Sequence, residues 1–368
     1  MLFSPAVIAA LWASATVASP LPRSEDKCVT KLQRRAWHTF SNDEKKAYIA
    51  ADLCLMNKPA TLGLPGAKNR YEELQAIHQI QAAITHNVGA FLHYHRLHMF
   101  AHERAIREEC GFQGAQPYWD EPRDAGKFST SDVLDPIVGF GGNGVGTRGC
   151  IVDGPFANYT NNLGPGYFTG PHCINRFVND TVSLMSSQSY VDACLEKETF
   201  VEFWPCLEGA PHSGGHGGVG GKMLDPIASP GDPIFYLHHT WLDKLFWGWQ
   251  SRGLPARLSE IGGVNQASGF AGFPPLPGGG GNGSAPPVVP APPGDGGNGT
   301  GLPFFPPGSG SFPPFESMIP PADAPGPEGD PGNVTTLSHV LNMYGVIPNA
   351  TIVDVMDISG GLLCYEYV

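Results

Sequence analysis

The stretch His212-Ser-Gly-Gly-His216, followed by Asp232-Pro-Ile-Phe-Tyr-Leu-His-His-Thr-Trp-Leu-Asp243, constrains this chain more than any other. His212 and His216 stand four residues apart, so on a helix their rings project from one face and can grip one ion. The glycines between and after them are poor helix formers, so packing rather than propensity must hold that turn. A third donor comes from the helix that Asp232-Pro233 opens as N-cap and first-turn proline, running through Trp249. It carries His238 and His239, of which only one is expected to face the site, because neighbours on a helix diverge by about 100°. His239 shares a face with Phe235 and Asp243, so Asp243 either braces the helix or orients a ligand from behind.

A second group lies upstream: His78, His86, His93, His95, His98 and His102. On an unbroken helix His78 and His86 would be separated by about 12 Å of rise, and His86 and His95 by about 13 Å on opposite faces. One ion can be reached from all three only if the backbone breaks, and Asn87-Val-Gly89 supplies a break. Two imidazole groups with no carboxylate run between them suggest a pair of copper ions, although imidazole donors also suit zinc, iron or nickel. Dinuclear zinc hydrolases usually need carboxylates, and none sits within either group. A serine-hydrolase triad is disfavoured because no Gly-x-Ser-x-Gly elbow occurs.

Composition narrows the remaining classes. The 368 residues are 41% hydrophobic, enough for a sizeable core. A formal net charge of −12, without any basic run, disfavours nucleic acid and anionic membrane as partners. Residues 1–18 carry a short apolar stretch ending Ala15-Thr-Val-Ala18, which reads as a cleavable secretory signal that leaves no membrane anchor. Eight cysteines, none in a Cys-x-x-Cys pair, suit disulfides in an oxidising compartment, with a connectivity that spacing does not reveal. Sequons at Asn158, Asn179, Asn282, Asn298, Asn333 and Asn349 fit a glycosylated surface.

The remainder reads as one mainly α domain over residues 19–368, a helical-bundle core with long irregular loops and few short strands. Ser41 and Glu44 have capping-box spacing ahead of a helix reaching Leu55. Further helices are predicted over Tyr71–His86 and Phe91–Glu109, with shorter ones within 183–202 and 334–344. Residues 120–171 are rich in glycine, proline and asparagine and read as loops. From 262 to 332 the chain is mostly Gly, Pro, Ser and Ala, which predicts a flexible insertion. The end, 352–367, reads as strand.

With these motifs the chain resembles the type-3 copper proteins, and within them short fungal catechol oxidases and tyrosinases. The resemblance rests on His86 followed by His95-Arg96 with Phe91 between, on Glu208-Gly-Ala-Pro-His-Ser-Gly-Gly-His216, and on the Asp232–Asp243 run. It implies a secreted enzyme that uses O2 to oxidise a small phenol at two copper ions. One ion would be held by His78, His86 and His95, the other by His212, His216 and His239. It further implies that Phe235 stands beside the metal pair, that Glu208 positions a water, and that Tyr365-Glu-Tyr367 closes the core with Arg34 as partner.

Three positions depart from the family pattern. Where many members carry a cysteine thioether-linked to a ligand, this chain has Ile84. Tyr94 replaces the usual Trp or Phe before the third ligand. Ser213 stands where strong monophenol hydroxylases carry Asn or Asp, which would leave the water-activating pair with Glu208 incomplete. The resemblance therefore implies o-diphenol (or o-aminophenol) oxidation with weak or no monophenol hydroxylation. A full tyrosinase, or an oxygen-binding protein of haemocyanin type, are the alternatives.

Overall fold

In a computed structural model the described residues are 28–267 and 313–368. The signal-like 1–18 and most of the Gly/Pro-rich segment lie outside them. Ser41 and Glu44 do form a reciprocal capping box, opening α1 (Asn42–Asn57). Ahead of it the chain forms β1 (Leu32–Arg34) and a 3-10 turn. The Asn69 side chain caps α2 (Arg70–Thr85) by accepting from the Glu72 amide at 2.8 Å. The next helix, α3 (Phe91–Cys110), ends where Gly111 adopts the left-handed φ of 72°. There the amides of Gly111 and Phe112 bond back to Arg107 and Ile106, satisfying carbonyls that the helix leaves open.

After α3 the chain is irregular, as its glycine and proline content predicts. It is punctuated by α4 (Glu121–Asp124) and the hairpin β2 (Thr160–Leu163) with β3 (Thr169–Cys173). Over 183–202 the structure places several short pieces instead of one helix: α5 (Asp180–Ser183), a 3-10 turn, α6 (Gln188–Leu195) and the start of α7 (Phe200–Leu207). Ser187 and Thr199 lie in extended backbone between them, each starting a new helix. A π-helical turn, Glu208–His212, leads into α8 (Ser213–Val219). Finally α9 (Ile234–Ser251) follows Asp232-Pro233, with the cap shifted from expectation. The Asp232 carboxylate does accept from the Ile234 amide at 3.1 Å, but its main partner is the buried Arg176 at 2.7 and 2.9 Å.

Two expectations for the C-terminal part fail. Residues 334–344 form no helix but a turn and β4 (Val340–Leu341), paired with β5 (Ala350–Thr351). Asp330 accepts both the Thr336 amide and hydroxyl at 2.8 Å, drawing the chain into a turn where a helix would start. Likewise 352–367 is mostly not strand: Thr351 and Asp354 cap a 3-10 turn over Ile352–Val355, and only β6 (Tyr365–Tyr367) is extended. The Gly/Pro segment is tied down at both described ends. Asn265 reaches Asp330 and Gly332, and Met318 packs with Ala82 and Ile227.

Strand β6 runs parallel to β1, bringing the two ends of the described chain together. Cys28–Cys364 staples that junction; Cys54–Cys110, Cys150–Cys173 and Cys194–Cys206 use the remaining cysteines. Beneath β1 and β6 lies a buried polar knot centred on Asp243 of α9. Its carboxylate accepts from Arg96, Tyr365 and Tyr367, with Arg34 at 3.4 Å. The Arg34 guanidinium lies 3.4 Å over the Tyr365 ring and bonds Glu103 at 2.7 Å. Asp243 therefore clamps α9 to α3 and to the chain end; it braces the helix and does not touch a histidine. No helix among the described residues is long and apolar enough to cross a membrane.

Candidate metal centre

Helix α2 ends at Thr85, Asn87 takes a left-handed φ of 55°, and α3 starts at Phe91. This break lets three rings meet that a continuous helix would separate. His78 and His86 have ring centroids 5.0 Å apart, His78 and His95 5.5 Å, His86 and His95 5.2 Å. Each directs Nδ1 at a backbone carbonyl: His78 at Ile227 (2.9 Å), His86 at Ala82 (3.0 Å), His95 at Phe91 (2.8 Å). That arrangement fixes the tautomer and leaves Nε2 as the free donor. The other upstream histidines are engaged elsewhere. His93 meets Met356, His98 the Leu74 carbonyl, and His102 lies between Asp52 and Gln116.

The second group forms where the π-helical turn delivers His212 and α8 delivers His216. Pro211 has no amide hydrogen, so it interrupts the regular ladder at this turn. His212 Nδ1 bonds the Glu208 carbonyl at 3.1 Å, and His216 Nδ1 bonds that of Met223. His239 completes a triangle with ring separations of 4.5, 5.3 and 5.3 Å. His216 Nε2 and His239 Nε2 lie 3.2 Å apart. Two nitrogens about 2.0–2.1 Å from one tetrahedral ion would be about 3.3 Å apart. The two groups meet face to face, with His95 stacked on His239 at 4.1 Å and 11°, and His86 6.3 Å from His212.

The glycines of α8 are explained by packing. A Cβ on Gly215 would lie 2.3 Å from the His238 ring, one on Gly214 2.6 Å from Ser186, and one on Gly218 2.8 Å from Phe128. His238 occupies the notch left by Gly215, its Nδ1 held by Glu121 of α4. Glu121 thus engages His238, while its neighbour His239 is the ring that stacks on His95 of the other group. Both belong, with His212 and His216, to a set whose donor atoms lie within 4.8 Å of one another.

Two phenylalanines wall the centre. Phe235 is 4.2 Å from His239 and 5.3 Å from His78; Phe91 is 4.7 Å from His95 and 4.8 Å from His212. Each precedes a histidine by one helical turn on its own helix; the family resemblance implies Phe235, and the same one-turn spacing before His95 is the signal that points to Phe91. Ile84 stands two residues before His86, and every cysteine is in a disulfide, so a sulfur cross-link to this ligand is excluded.

Burial pushes the imidazoles of His78, His95, His212, His216 and His239 well below their usual pKa, and that of His86 down to about 4. All six are neutral donors at ordinary pH. The Nε2 atoms of His78, His95 and His212 are buried with no hydrogen-bond partner. Such orphaned atoms are costly unless something fills the space between them. Neutral imidazole nitrogens without carboxylates fit copper. Glu208 is buried, its Oε1 accepting the Asn87 amide at 2.7 Å while Oε2 has no partner. Burial raises its pKa to about 8, against the opposing pull of that amide. Ser213 donates its hydroxyl to the Glu208 carbonyl at 3.2 Å. His212 and Ser213 are less buried than the other residues of the centre.

Comparison with known proteins agrees with this geometry. The family model for the common central domain of tyrosinase matches residues 68–252, which span both histidine groups. A tyrosinase-like protein of Diaporthe leptostromiformis is 32% identical over 282 residues, covering 70% of this chain and 74% of the relative. Tyrosinase P of Aspergillus terreus is 31% identical over 310 residues, covering 70% and 85%. Among solved structures, a variant polyphenol oxidase from Thermothelomyces thermophila superposes with a TM-score of 0.67 at 25% identity, covering 92% of this chain and 89% of that one. The family implies a dinuclear copper centre and a phenol-oxidising, O2-using chemistry. This chain belongs to the tyrosinase family.

Proposed function

We propose that this chain is a secreted o-diphenol oxidase with weak or no activity on monophenols. His78, His86 and His95 would hold one copper ion, and His212, His216 and His239 the other. Bound copper supplies the electron transfer between phenol and dioxygen that none of these side chains can perform. Overall, two catechols and one O2 give two o-quinones and two waters; o-aminophenols fit the same geometry.

The substrate would enter on the half-buried side beside His212 and Ser213. Its ring would lie against His239, which Phe235 supports from below at 4.2 Å. Glu208 has a bare Oε2, an acceptor to which a phenolic proton could pass. The observation that carries the substrate preference is the Ser213 hydroxyl, which donates to the Glu208 carbonyl. It offers neither a carbonyl nor a carboxylate to orient a water together with Glu208, and so cannot supply the additional base that monophenol deprotonation calls for. Secretion is supported by four disulfides, which suit an oxidising compartment.

The test is oxygen uptake by copper-loaded protein given catechols and matched monophenols. Rapid catechol oxidation with slow or absent monophenol turnover is expected. Fast, lag-free monophenol hydroxylation would establish a full tyrosinase instead. Reversible oxygen binding without catechol consumption would establish a carrier.

A further inference from the structure

We propose that Glu208 is a positioning residue that sets the separation of the two histidine groups by gripping one with its side chain and the other with its backbone. On one side its Oε1 accepts the amide of Asn87, the residue directly after His86, at 2.7 Å. On the other its carbonyl accepts from His212 Nδ1 at 3.1 Å and Ser213 Oγ at 3.2 Å. A single residue is thus bonded to both sides of the gap across which the His86 and His212 rings stand 6.3 Å apart. Among the described residues no other hydrogen bond joins the 85–90 break to the 207–213 turn.

The break needs such a hold. Helix α2 has ended at Thr85, and Asn87 stands in left-handed backbone that most residues avoid. Its amide has no helical acceptor, and Glu208 supplies one. The far end of the break is pinned separately, since Gly89 donates to the Val264 carbonyl at 2.9 Å. A Cβ on Gly89 would lie 1.9 Å from the Gly262 carbonyl, so the backbone approach there is close. With Gly89 fixed from outside and Asn87 fixed from the second group, His86 has little freedom to move relative to His212. The reach of the side chain matters: aspartate would fall short by about 1.5 Å, one carbon–carbon bond. Glutamine keeps both the length and an acceptor oxygen, so the tether does not require the acid.

The proposal deepens the copper reading above, and its test has one arm that does not depend on it. In copper-free protein, amide exchange at Asn87 is compared in wild type, Glu208→Gln, Glu208→Asp and Glu208→Ala. Exchange should accelerate roughly tenfold or more in the Asp and Ala variants and stay near wild type in Gln. In copper-loaded, oxidised protein, close coupled ions give little paramagnetic resonance signal, and ions that drift apart give a full one. The Asp and Ala variants should retain their copper by metal analysis yet gain signal, and Gln should remain silent. Unchanged Asn87 exchange in Asp, or a Gln variant as disturbed as Ala, would overturn the proposal. If Glu208→Ala does not fold, the Asp and Gln pair decides the question. A wild type inactive on catechol would defeat the functional reading while leaving the exchange result standing.

Discussion

His78 and His95 ride on α2 and α3, whose residues are mostly good helix formers, with Asn69 capping the start of α2 and Gly111 the end of α3, whereas His212 and His216 ride on a π-helical turn and a helix in which four of seven residues are glycine. Each of those glycines costs about 0.8–1 kcal/mol of helix propensity relative to alanine. The first group is therefore held by local helical structure interrupted once, at Asn87. The second exists because neighbours press on it: His238 against Gly215, Ser186 against Gly214, Phe128 against Gly218. His78, His86 and His95 are buried, whereas His212 and Ser213 are only partly so.

Several substitutions would break or sharpen that contrast. The largest effect is expected from His239→Ala, which removes the ring stacked on His95 between the groups. About half the copper should be lost, as read by metal analysis, and catechol turnover with it. Retention of both ions would transfer the role to His238, whose Nε2 is also bare. Next is Asp243→Ala, which strips the shared carboxylate from buried Arg34 and Arg96. Removing one partner from buried ion pairs costs about 3–5 kcal/mol, measurable by denaturant unfolding. Because α3 and α9 each carry a donor, both groups should weaken together; loss of one alone would show that Asp243 does not couple them.

Gly215→Ala should cost about 1–3 kcal/mol by overpacking against His238. Chelator titration should then remove copper from the second group before the first. If both ions leave together, the second group is not independently held by that packing. The smallest effect, with opposite sign, is expected at Gly248, which also sits in a helix but where an added Cβ meets nothing within 4 Å. Gly248→Ala should stabilise by about 0.4–1 kcal/mol in the same unfolding assay. Destabilisation there would mean that helical glycines in this chain are constrained by more than local contact.

The parts legible in the sequence are those governed by short-range rules. The capping box at Ser41 and Glu44, the left-handed Gly111 and the break at Asn87-Val-Gly89 all follow from residue type and spacing. Arg34 as partner of Tyr365 and Tyr367 came from family likeness, and the structure adds Asp243 at its centre. The failures have a common cause. Propensity alone predicts helix over 334–344 and strand over 352–367, whereas the carboxylates of Asp330 and Asp354 draw both segments into turns. The adjacent histidines of α9 take different partners: His239 stacks on His95, while Glu121 holds His238 Nδ1 beside Gly215. Phe91 stands one turn before His95, as Phe235 stands one turn before His239.

Residue identity and spacing alone establish that two groups of imidazoles exist, that Ile84 and not a cysteine stands two before His86, and that helices would carry most of the histidines. Those facts depend on residue identity and on the 3.6-residue period, which are local. Which of the many histidines converge, which nitrogen of each is free, and how Glu208 and Asn87 join the two groups follow from the folded arrangement. These depend on carbonyls and side chains distant in the chain, such as Ile227 behind His78 and Met223 behind His216. Packing brings those partners together, and no local pattern encodes it.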